Sequence, residues 1–358
     1  MPDPLVSLCV PTRNRGNALR ESLPRILAQR YEPLEIIISD NGSTDDTEAL
    51  CREAADRDPR IRYFRHPHNI GLYGNHNFLI EQARGEFLCF FHDHDERDDE
   101  LVREYVSFLQ RHPGVGVVCS DWKLIDESGK ELGNRFTRMA EVTPGLSYID
   151  QTFRSGSTSL GIPGTMIRRS ALGETRFNKK MDEEKILGFG DFPFWFRIAE
   201  EHDVGHLSKV LWYWRQDPQS QSAQAIKWMA RDYEENLSRY CDEHLARWPR
   251  HASRVARWRR EIRRYLFWAL AYQVGLYFSK ADRPKRREEQ PTLLEILDHQ
   301  LEDDALPEVI GQMRKHRTGA LQHLAFPLIR GGVRLKAAHL FTWTTTHVKF
   351  FRRLLRLC

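Results

Sequence analysis

The sequence contains few cysteines, and none of them forms a recognisable metal-binding or redox motif. The six cysteines among 358 residues include no Cys-X-X-Cys pair, and Cys9, Cys89 and Cys119 lie within short apolar runs. Disulfide-held secreted domains and structural zinc sites both require closely and regularly spaced cysteines. The sequence therefore predicts no disulfide framework and no zinc site, and it predicts that these three cysteines are buried as small apolar residues.

Strong charge and long apolar runs are also lacking. The net charge is only +4, so nucleic acid is not indicated as a partner. The apolar stretch 265–278 is shorter than the about 20 residues that cross a bilayer, and it predicts a buried or interfacial helix. An apolar run begins within the first ten residues and leaves no room for a signal peptide. We therefore expect a cytoplasmic protein, whose hydrophobic content of 41% suffices for a large core.

Short apolar runs alternate with helix-like segments in the first 120 residues. The apolar runs are 5–10, 34–39, 61–64, 87–91 and 115–119, and the helix-like segments are 17–29, 44–57, 74–83 and 98–111. This spacing is typical of repeated βα units, in which right-handed crossovers place the strands side by side. The sequence therefore predicts an α/β domain with a mostly parallel sheet flanked by helices.

The most informative segment, 90–96, follows the fourth apolar run and reads Phe-Phe-His-Asp-His-Asp-Glu. Parallel sheets bind ligands beyond the carboxyl ends of their strands, which is where Asp93 and Asp95 lie. Carboxylates two residues apart can both approach one Mg²⁺ or Mn²⁺, whose other positions are filled by water and substrate phosphates. The alternative is a solvated loop before the next helix, whose first turn would contain Asp98 and Asp99.

Two further strand ends carry polar groups. The first strand runs into Pro-Thr-Arg-Asn-Arg at 11–15, whose backbone amides, hydroxyl and guanidinium groups can meet a base or phosphates. The second ends in Asp40 and the turn sequence Asn-Gly-Ser, and this carboxylate can accept hydrogen bonds from a base or ribose. Each segment alone could equally be a turn or a helix cap. We expect them to converge with Asp93 and Asp95 on one sheet edge.

Taken in order, these motifs resemble glycosyltransferase family 2, enzymes of the GT-A fold that use nucleotide-activated sugars. The resemblance rests on segments 6–14, 35–47, 69–77, 83–87 and 93–96, and it extends from Val6 to about Arg215. It implies a GT-A domain over 1–221, with a nucleotide-binding half at 1–120 and an acceptor half at 121–221. Residues 222–358 would form an α-helical extension, because Arg, Trp and Leu recur there with helical periodicity.

The resemblance also assigns roles to individual residues. It places at the nucleotide sugar Pro11, Thr12, Arg13, Asn14, Asp40, Asn77 and Asp93. Asp40 would contact the base, Asp93 would lie near the ribose and the metal, and Asp95 would ligate the divalent cation, Mg²⁺ or Mn²⁺, that bridges the diphosphate. Such a cation neutralises the charge that develops on the departing nucleoside diphosphate.

The resemblance places a general base at Asp191, which would remove the proton of the acceptor hydroxyl. Relatives often have an acid just before this position, where this chain has Gly190. The alternative is that Asp191 only caps a helix begun at Pro193. Glu183 and Glu184 are the next candidates for the base.

The segment 210–220 resembles the closing strand of the family, but Asp217 stands where histidine is common. Arg215 could face phosphate and Asp217 could approach the metal, or both could be surface residues. The aromatic run 192–196 could stack on a sugar, although such clusters more often form core.

The resemblance implies an inverting, metal-dependent enzyme that moves a sugar from a nucleotide sugar to a glycan or lipid-linked acceptor, in bacterial surface polysaccharide or glycolipid synthesis. A sugar-nucleotide nucleotidyltransferase is one alternative, but it would need a glycine-rich phosphate loop after the first strand, and 11–16 lacks one. The second alternative is a non-catalytic nucleotide- or carbohydrate-binding module, favoured if Gly190 marks a lost base.

The last twelve residues have the pattern of an amphipathic helix. One face carries Lys349, Arg352, Arg353 and Arg356, and the other carries Val348, Phe351, Leu354, Leu355 and Leu357. A basic face opposite an apolar one is typical of a helix on an anionic membrane surface, which would place the protein at the inner face of the plasma membrane. The alternative is a helix that docks on its own domain.

We predict that deleting 347–358 releases the protein from anionic liposomes and leaves activity on a soluble acceptor intact. Each basic residue near anionic lipid contributes about 1 kcal/mol to attachment, and salt screens this contribution. Sedimentation with liposomes at low and high salt measures the effect. If full-length and truncated proteins distribute alike, or the truncated protein becomes insoluble, the segment docks on the protein itself.

Overall fold

The structure is a computed structural model that describes residues 2–135, 139–184, 189–215 and 229–265. The described residues up to Arg259 belong to one compact unit, in which helices cover a central sheet. Asp217 and the C-terminal segment 347–358 lie outside the described residues, so the predictions for them stay predictions. The same holds for the proposed boundary at 221.

Ten strands form one sheet. They are β1 (Val6–Thr12), β2 (Leu34–Asp40), β3 (Ile61–Arg65), β4 (Phe87–Phe90), β5 (Glu96–Arg97), β6 (Val115–Ile125), β7 (Glu131–Arg135), β8 (Val142–Thr143), β9 (Thr165–Arg168) and β10 (Asp203–Arg215). The helices are α1 (Gly16–Leu27), α2 (Thr47–Arg57), α3 (Leu72–Gln82), α4 (Leu101–Arg111), α5 (Gly145–Ser155), α6 (Arg169–Leu172), α7 (Lys180–Glu184), α8 (Asp191–Ala199) and α9 (Met229–Arg247). Residues 252–265 are also helical.

The main path of the sheet has the order β3-β2-β1-β4-β9-β6-β10-β5. The pairs β1–β2, β2–β3, β1–β4 and β6–β10 are parallel, which confirms the predicted mostly parallel sheet. The strand β9 lies antiparallel between β4 and β6, so these two strands do not pair directly. The sequence of residues 159–170 predicts a strand, which β9 confirms, but it does not reveal where this four-residue strand pairs in the sheet.

The strands β1, β2 and β4 are almost completely buried, as their continuous apolar sequences predict. Cys9, Cys89 and Cys119 lie in the sheet and are buried with free thiols, which confirms their assignment as small apolar core residues. Burial of this kind fixes the strand register, because a slip by one residue would expose the apolar set. The sheet therefore holds its carboxyl edge in a defined position.

Aromatic side chains form a buried cluster around α8. Phe192, Phe194, Trp195 and Phe196 of α8 are all buried, and Phe194 stacks on Phe177 with ring centroids 3.9 Å apart. The alternative prediction, that these rings stack on a sugar, is therefore wrong. The rings fill the space between α8 and its neighbours, where large apolar side chains contribute most to stability.

The N-terminus of α3 is capped by a side chain from a distant helix. The Asp182 carboxylate accepts hydrogen bonds from the backbone N–H groups of Leu72 (2.9 Å), Tyr73 (3.0 Å) and Gly74 (3.1 Å). The residue before the helix, Gly71, has a φ of 86°, and a side chain there would collide with Asp182. An acid at this position satisfies otherwise unpaired donors and interacts favourably with the helix dipole.

We predict that Asp182→Ala lowers the free energy of unfolding by about 0.5–2 kcal/mol, the usual effect of losing a helix cap. The adjacent acid Glu183 is exposed on the same helix, so Glu183→Ala is the matched control and should change stability by less than about 0.5 kcal/mol. Urea unfolding followed by circular dichroism measures both variants. If Asp182→Ala and Glu183→Ala are equally stable, Asp182 does not cap α3.

Candidate functional site

The carboxyl ends of β1, β2 and β4 meet at one edge of the sheet. Thr12 ends β1 and pairs in register with Asp40 at the end of β2. The loop that follows β4 reaches the same edge, because the Thr12 hydroxyl donates a hydrogen bond of 2.8 Å to Asp93 Oδ2. The structure therefore brings the first and fourth strand ends into direct contact, as expected for a ligand site at a parallel sheet edge.

The Asp95 carboxylate is buried, and only one of its two oxygens accepts a hydrogen bond from the described residues. Its Oδ1 accepts a hydrogen bond of 3.0 Å from the backbone N–H of Arg215. Its Oδ2 is buried and has no hydrogen-bond partner among the described residues. Burial raises the pKa of Asp95, and the nearby His94 and Arg97 side chains oppose this rise. A buried carboxylate oxygen without a donor is a suitable ligand for a cation.

The Arg215 side chain fixes the loop between β4 and β5. Its guanidinium donates to the backbone carbonyls of His94 (3.0 Å), Asp126 (3.1 Å) and Glu127 (2.5 Å) and forms an ion pair with Glu96. These contacts join the end of β10 to the loop after β4 and to the turn after β6, and a contact of Arg215 with phosphate stays a prediction. Its backbone and side chain together position Asp95.

Arg97 is a functional residue that the sequence reasoning missed. It is buried on β5, and its Nη1 donates to the backbone carbonyls of Asp95 (3.1 Å) and His92 (3.3 Å). Its guanidinium also lies over the Phe91 ring, 4.1 Å from the centroid. Burial lowers the pKa of Arg97, and the charge of Asp95 opposes this effect. The available signal in the sequence was an arginine two residues after the Asp-X-Asp segment.

The loop after β1 is anchored to the loop after β2. Asn14 has a φ of 54°, its backbone N–H donates to Ser43 Oγ (2.9 Å), and its side-chain oxygen accepts from the N–H of Thr44 (2.8 Å). Pro11 is half-buried, whereas Arg13 and Asn14 are exposed at this edge. Arg13 is thus accessible to a ligand, and Asn14 holds the shape of the loop that carries it.

Asp40 and Asn77 are buried and already engaged within the protein. Asp40 accepts hydrogen bonds from the Ser43 N–H (2.8 Å) and the Tyr63 hydroxyl (2.9 Å). The Asn77 amide pairs with both backbone groups of Phe177, each at 2.9 Å. Both side chains stabilise the walls of the site, and their contacts with a nucleotide stay predictions.

Asp191 is the first residue of α8, two residues before the predicted start at Pro193. Desolvation by burial raises the pKa of its carboxyl group to about 6. The Tyr73 hydroxyl occupies the space that a side chain at Gly190 would need, which explains why no acid precedes Asp191. Of the other candidate bases, Glu183 is exposed on α7, and the side chain of Glu184 lies outside the described part of the chain.

The comparisons agree with this architecture. Residues 7–176 match the model of the family described as Glycosyl transferase family 2. Over 220 residues the chain is 38% identical to the GalNAc(5)-diNAcBac-PP-undecaprenol beta-1,3-glucosyltransferase of Campylobacter jejuni, covering 60% of this chain and 66% of that protein. The chain spans from about a quarter to about two thirds of the length of the first curated relatives that it matches.

Two solved structures share the fold. One is S. aureus TarS in complex with UDP-GlcNAc, with a TM-score of 0.53, 17% identity, and coverage of 82% of this chain and 80% of that chain. The other is the mannosyltransferase PcManGT from Pyrobaculum calidifontis in complex with GDP-Man and Mn²⁺, with a TM-score of 0.53, 16% identity, and coverage of 83% and 79%. These likenesses confirm the GT-A fold. The family match over residues 7–176 confirms the resemblance to glycosyltransferase family 2 that the sequence motifs indicate.

Proposed function

We propose that this protein transfers a sugar from a nucleoside-diphosphate sugar to an acceptor hydroxyl, with a divalent cation and with inversion at the sugar carbon. The observation that carries the proposal is the joint placement of Thr12, Asp93 and Asp95 at the carboxyl edge of the sheet. The exposed Arg13 lies on the adjoining loop, where a guanidinium can meet a phosphate group. The diphosphate and its cation would bind at this edge.

The residues present fit a divalent cation. Asp95 Oδ2 is a buried carboxylate oxygen without a donor among the described residues, and Asp93 lies two residues away. Oxygen ligands of this kind suit Mg²⁺ and Mn²⁺. When bound, the cation would neutralise charge on the nucleoside diphosphate as it leaves. The chain's own contribution is to hold Asp95 in place through Arg215 and Arg97.

The proposed general base is Asp191. A carboxyl group with a pKa of about 6 is ionised at neutral pH and accepts a proton more readily than an ordinary carboxylate does. As the acceptor oxygen attacks the sugar carbon, its proton would pass to the Asp191 carboxylate. Direct attack in a single displacement inverts the configuration at that carbon.

The comparisons support a substrate class for this proposal. The Campylobacter jejuni relative is named for glucose transfer to an undecaprenol-linked glycan, and the two solved structures hold UDP-GlcNAc and GDP-Man. We infer a UDP- or GDP-sugar donor and a lipid-linked or glycan acceptor in bacterial surface polysaccharide or glycolipid synthesis. The acceptor would be met at the cytoplasmic side of the plasma membrane. Among the described residues, no helix combines the length and apolarity needed to cross a bilayer.

We predict turnover of a nucleotide sugar with a lipid-linked acceptor, and a loss of about 100-fold to 10,000-fold in transfer rate on Asp191→Asn. The full chain is incubated with a panel of UDP- and GDP-sugars, and NMR of the product reads the configuration at the transferred carbon. Donor affinity should be nearly unchanged in the variant, because Asn keeps the size of Asp. Product with retained configuration would contradict a single displacement.

The pH profile gives a second measure of the same base. Asp191 must be ionised to accept a proton, so the rate should rise with pH through about 6 and then level off. At pH 5 the rate would be about tenfold below the plateau. The residual activity of Asp191→Asn should lack this rise. If Asp191→Asn keeps both the wild-type transfer rate and the wild-type pH profile, Asp191 is not the base. Glu183 and Glu184 are then tested next.

We predict that Asp95→Asn keeps the fold and loses most of the Mn²⁺-dependent affinity for UDP or GDP, because the amide is a weaker cation ligand than the carboxylate. Calorimetry with and without Mn²⁺ measures this difference. Asp56 is exposed on α2, so Asp56→Asn serves as the matched control and should behave as the wild type. If Asp95→Asn and the wild type have the same Mn²⁺-dependent affinity for UDP or GDP, Asp95 is not a metal ligand.

A further inference from the structure

Two histidines beside Asp95 extend the site beyond its carboxylates. His92, His94 and Asp95 each offer one ligand atom, and these atoms all lie within 4.8 Å of one another. Bonds of about 2.1 Å from a metal to nitrogen or oxygen place neighbouring ligand atoms about 3–4 Å apart. The three side chains are therefore close enough to converge on one cation after small adjustments.

Asp93 orients the His94 ring. The His94 Nδ1 lies 3.1 Å from Asp93 Oδ1, and a carboxylate can only accept in this hydrogen bond, so Nδ1 carries the proton. In the neutral ring this leaves the lone pair on Nε2, which lies 3.8 Å from Asp95 Oδ1. A carboxylate that holds one ring nitrogen while the other faces the metal is the usual arrangement of a metal-binding histidine.

His92 approaches Asp95 from the side of the unpaired oxygen. Its Nδ1 lies 3.9 Å from Asp95 Oδ2, too far for a hydrogen bond between them. Both Asp95 Oδ2 and His92 Nε2 are buried without a hydrogen-bond partner among the described residues. Native structures seldom leave such atoms without a partner, and an ion or water commonly supplies it. This observation is independent of the spacing of the three residues.

We propose that His92 and His94 supply imidazole nitrogen to the cation held by Asp95, and that this makes the site prefer Mn²⁺, Fe²⁺ or Co²⁺ to Mg²⁺. The inference rests on the cation of the proposed function. Imidazole binds the later divalent transition metals well, whereas Mg²⁺ strongly prefers oxygen ligands. In this arrangement Asp93 is a positioning residue for His94, which differs from the role of metal ligand predicted from the sequence.

The first test reads nitrogen coordination directly in the wild-type protein. Mn²⁺ is bound with UDP or GDP, and pulsed electron paramagnetic resonance records the couplings of nuclei near the ion. We expect ¹⁴N modulation typical of imidazole, which ¹⁵N modulation replaces when the protein is labelled with ¹⁵N-histidine. This readout needs neither a turnover substrate nor a folded variant.

The outcomes of this experiment distinguish the proposed histidine ligands from the proposed metal-dependent sugar transfer. Phosphorus coupling from the nucleotide without nitrogen coupling would overturn the histidine ligands and leave the metal-bridged diphosphate standing. Absence of bound Mn²⁺ both with and without nucleotide would overturn both. Nitrogen coupling that does not respond to histidine labelling would place the nitrogen on another residue and would also overturn the inference.

The second test measures metal preference. His92→Gln and His94→Gln replace a ring nitrogen by an amide oxygen, so Mn²⁺ should bind at least about tenfold more weakly in each while Mg²⁺ affinity is retained. His68→Gln is the matched control, because His68 is exposed in the loop before α3. Calorimetry with each metal alone gives the ratio of affinities. If Mn²⁺ and Mg²⁺ affinities fall together, or neither falls, the histidines do not select the metal.

Discussion

The structure depends most on how it holds two carboxylates two residues apart at the buried end of an apolar strand. Removing such charges from water is unfavourable unless donors and positive charges surround them. Here the Thr12 hydroxyl donates a hydrogen bond to Asp93, and the backbone N–H of Arg215 donates one to Asp95. The buried Arg97 guanidinium donates to a backbone carbonyl of the loop that carries both carboxylates. These partners come from β1, β10 and β5, so the loop has its shape only when the whole sheet has formed.

This arrangement also couples the two halves of the domain. The guanidinium of Arg215, at the end of β10, reaches the loop after β4 and the turn after β6. The strand β9 pairs with both β4 and β6 and so connects the first 120 residues to the later part of the domain through backbone hydrogen bonds. The loop that carries Asp93 and Asp95 is thus supported by β10, which gives this loop a defined geometry.

A second long-range contact joins α3 to the segments around α7 and α8. Asp182 caps α3, and Tyr73 on that helix fills the space next to Gly190. The position of Asp191 therefore depends on α3, which comes from the first 120 residues. Asn77 pairs with the backbone of Phe177 and reinforces the same contact. Asn77, which the sequence predicts to contact the nucleotide, thus also joins two segments that are distant in the chain.

The sequence by itself determined the α/β class, the mostly parallel sheet, the family resemblance and the segment that carries Asp93 and Asp95. These features follow from local apolar periodicity and from residues adjacent in the chain. Only the tertiary structure decided that β9 separates β4 from β6, that Arg215 and Arg97 fix the loop, and that His92 and His94 surround Asp95. The physical reason is that hydrogen-bond partners and burial depend on segments distant in sequence, and no local pattern records which of them will meet.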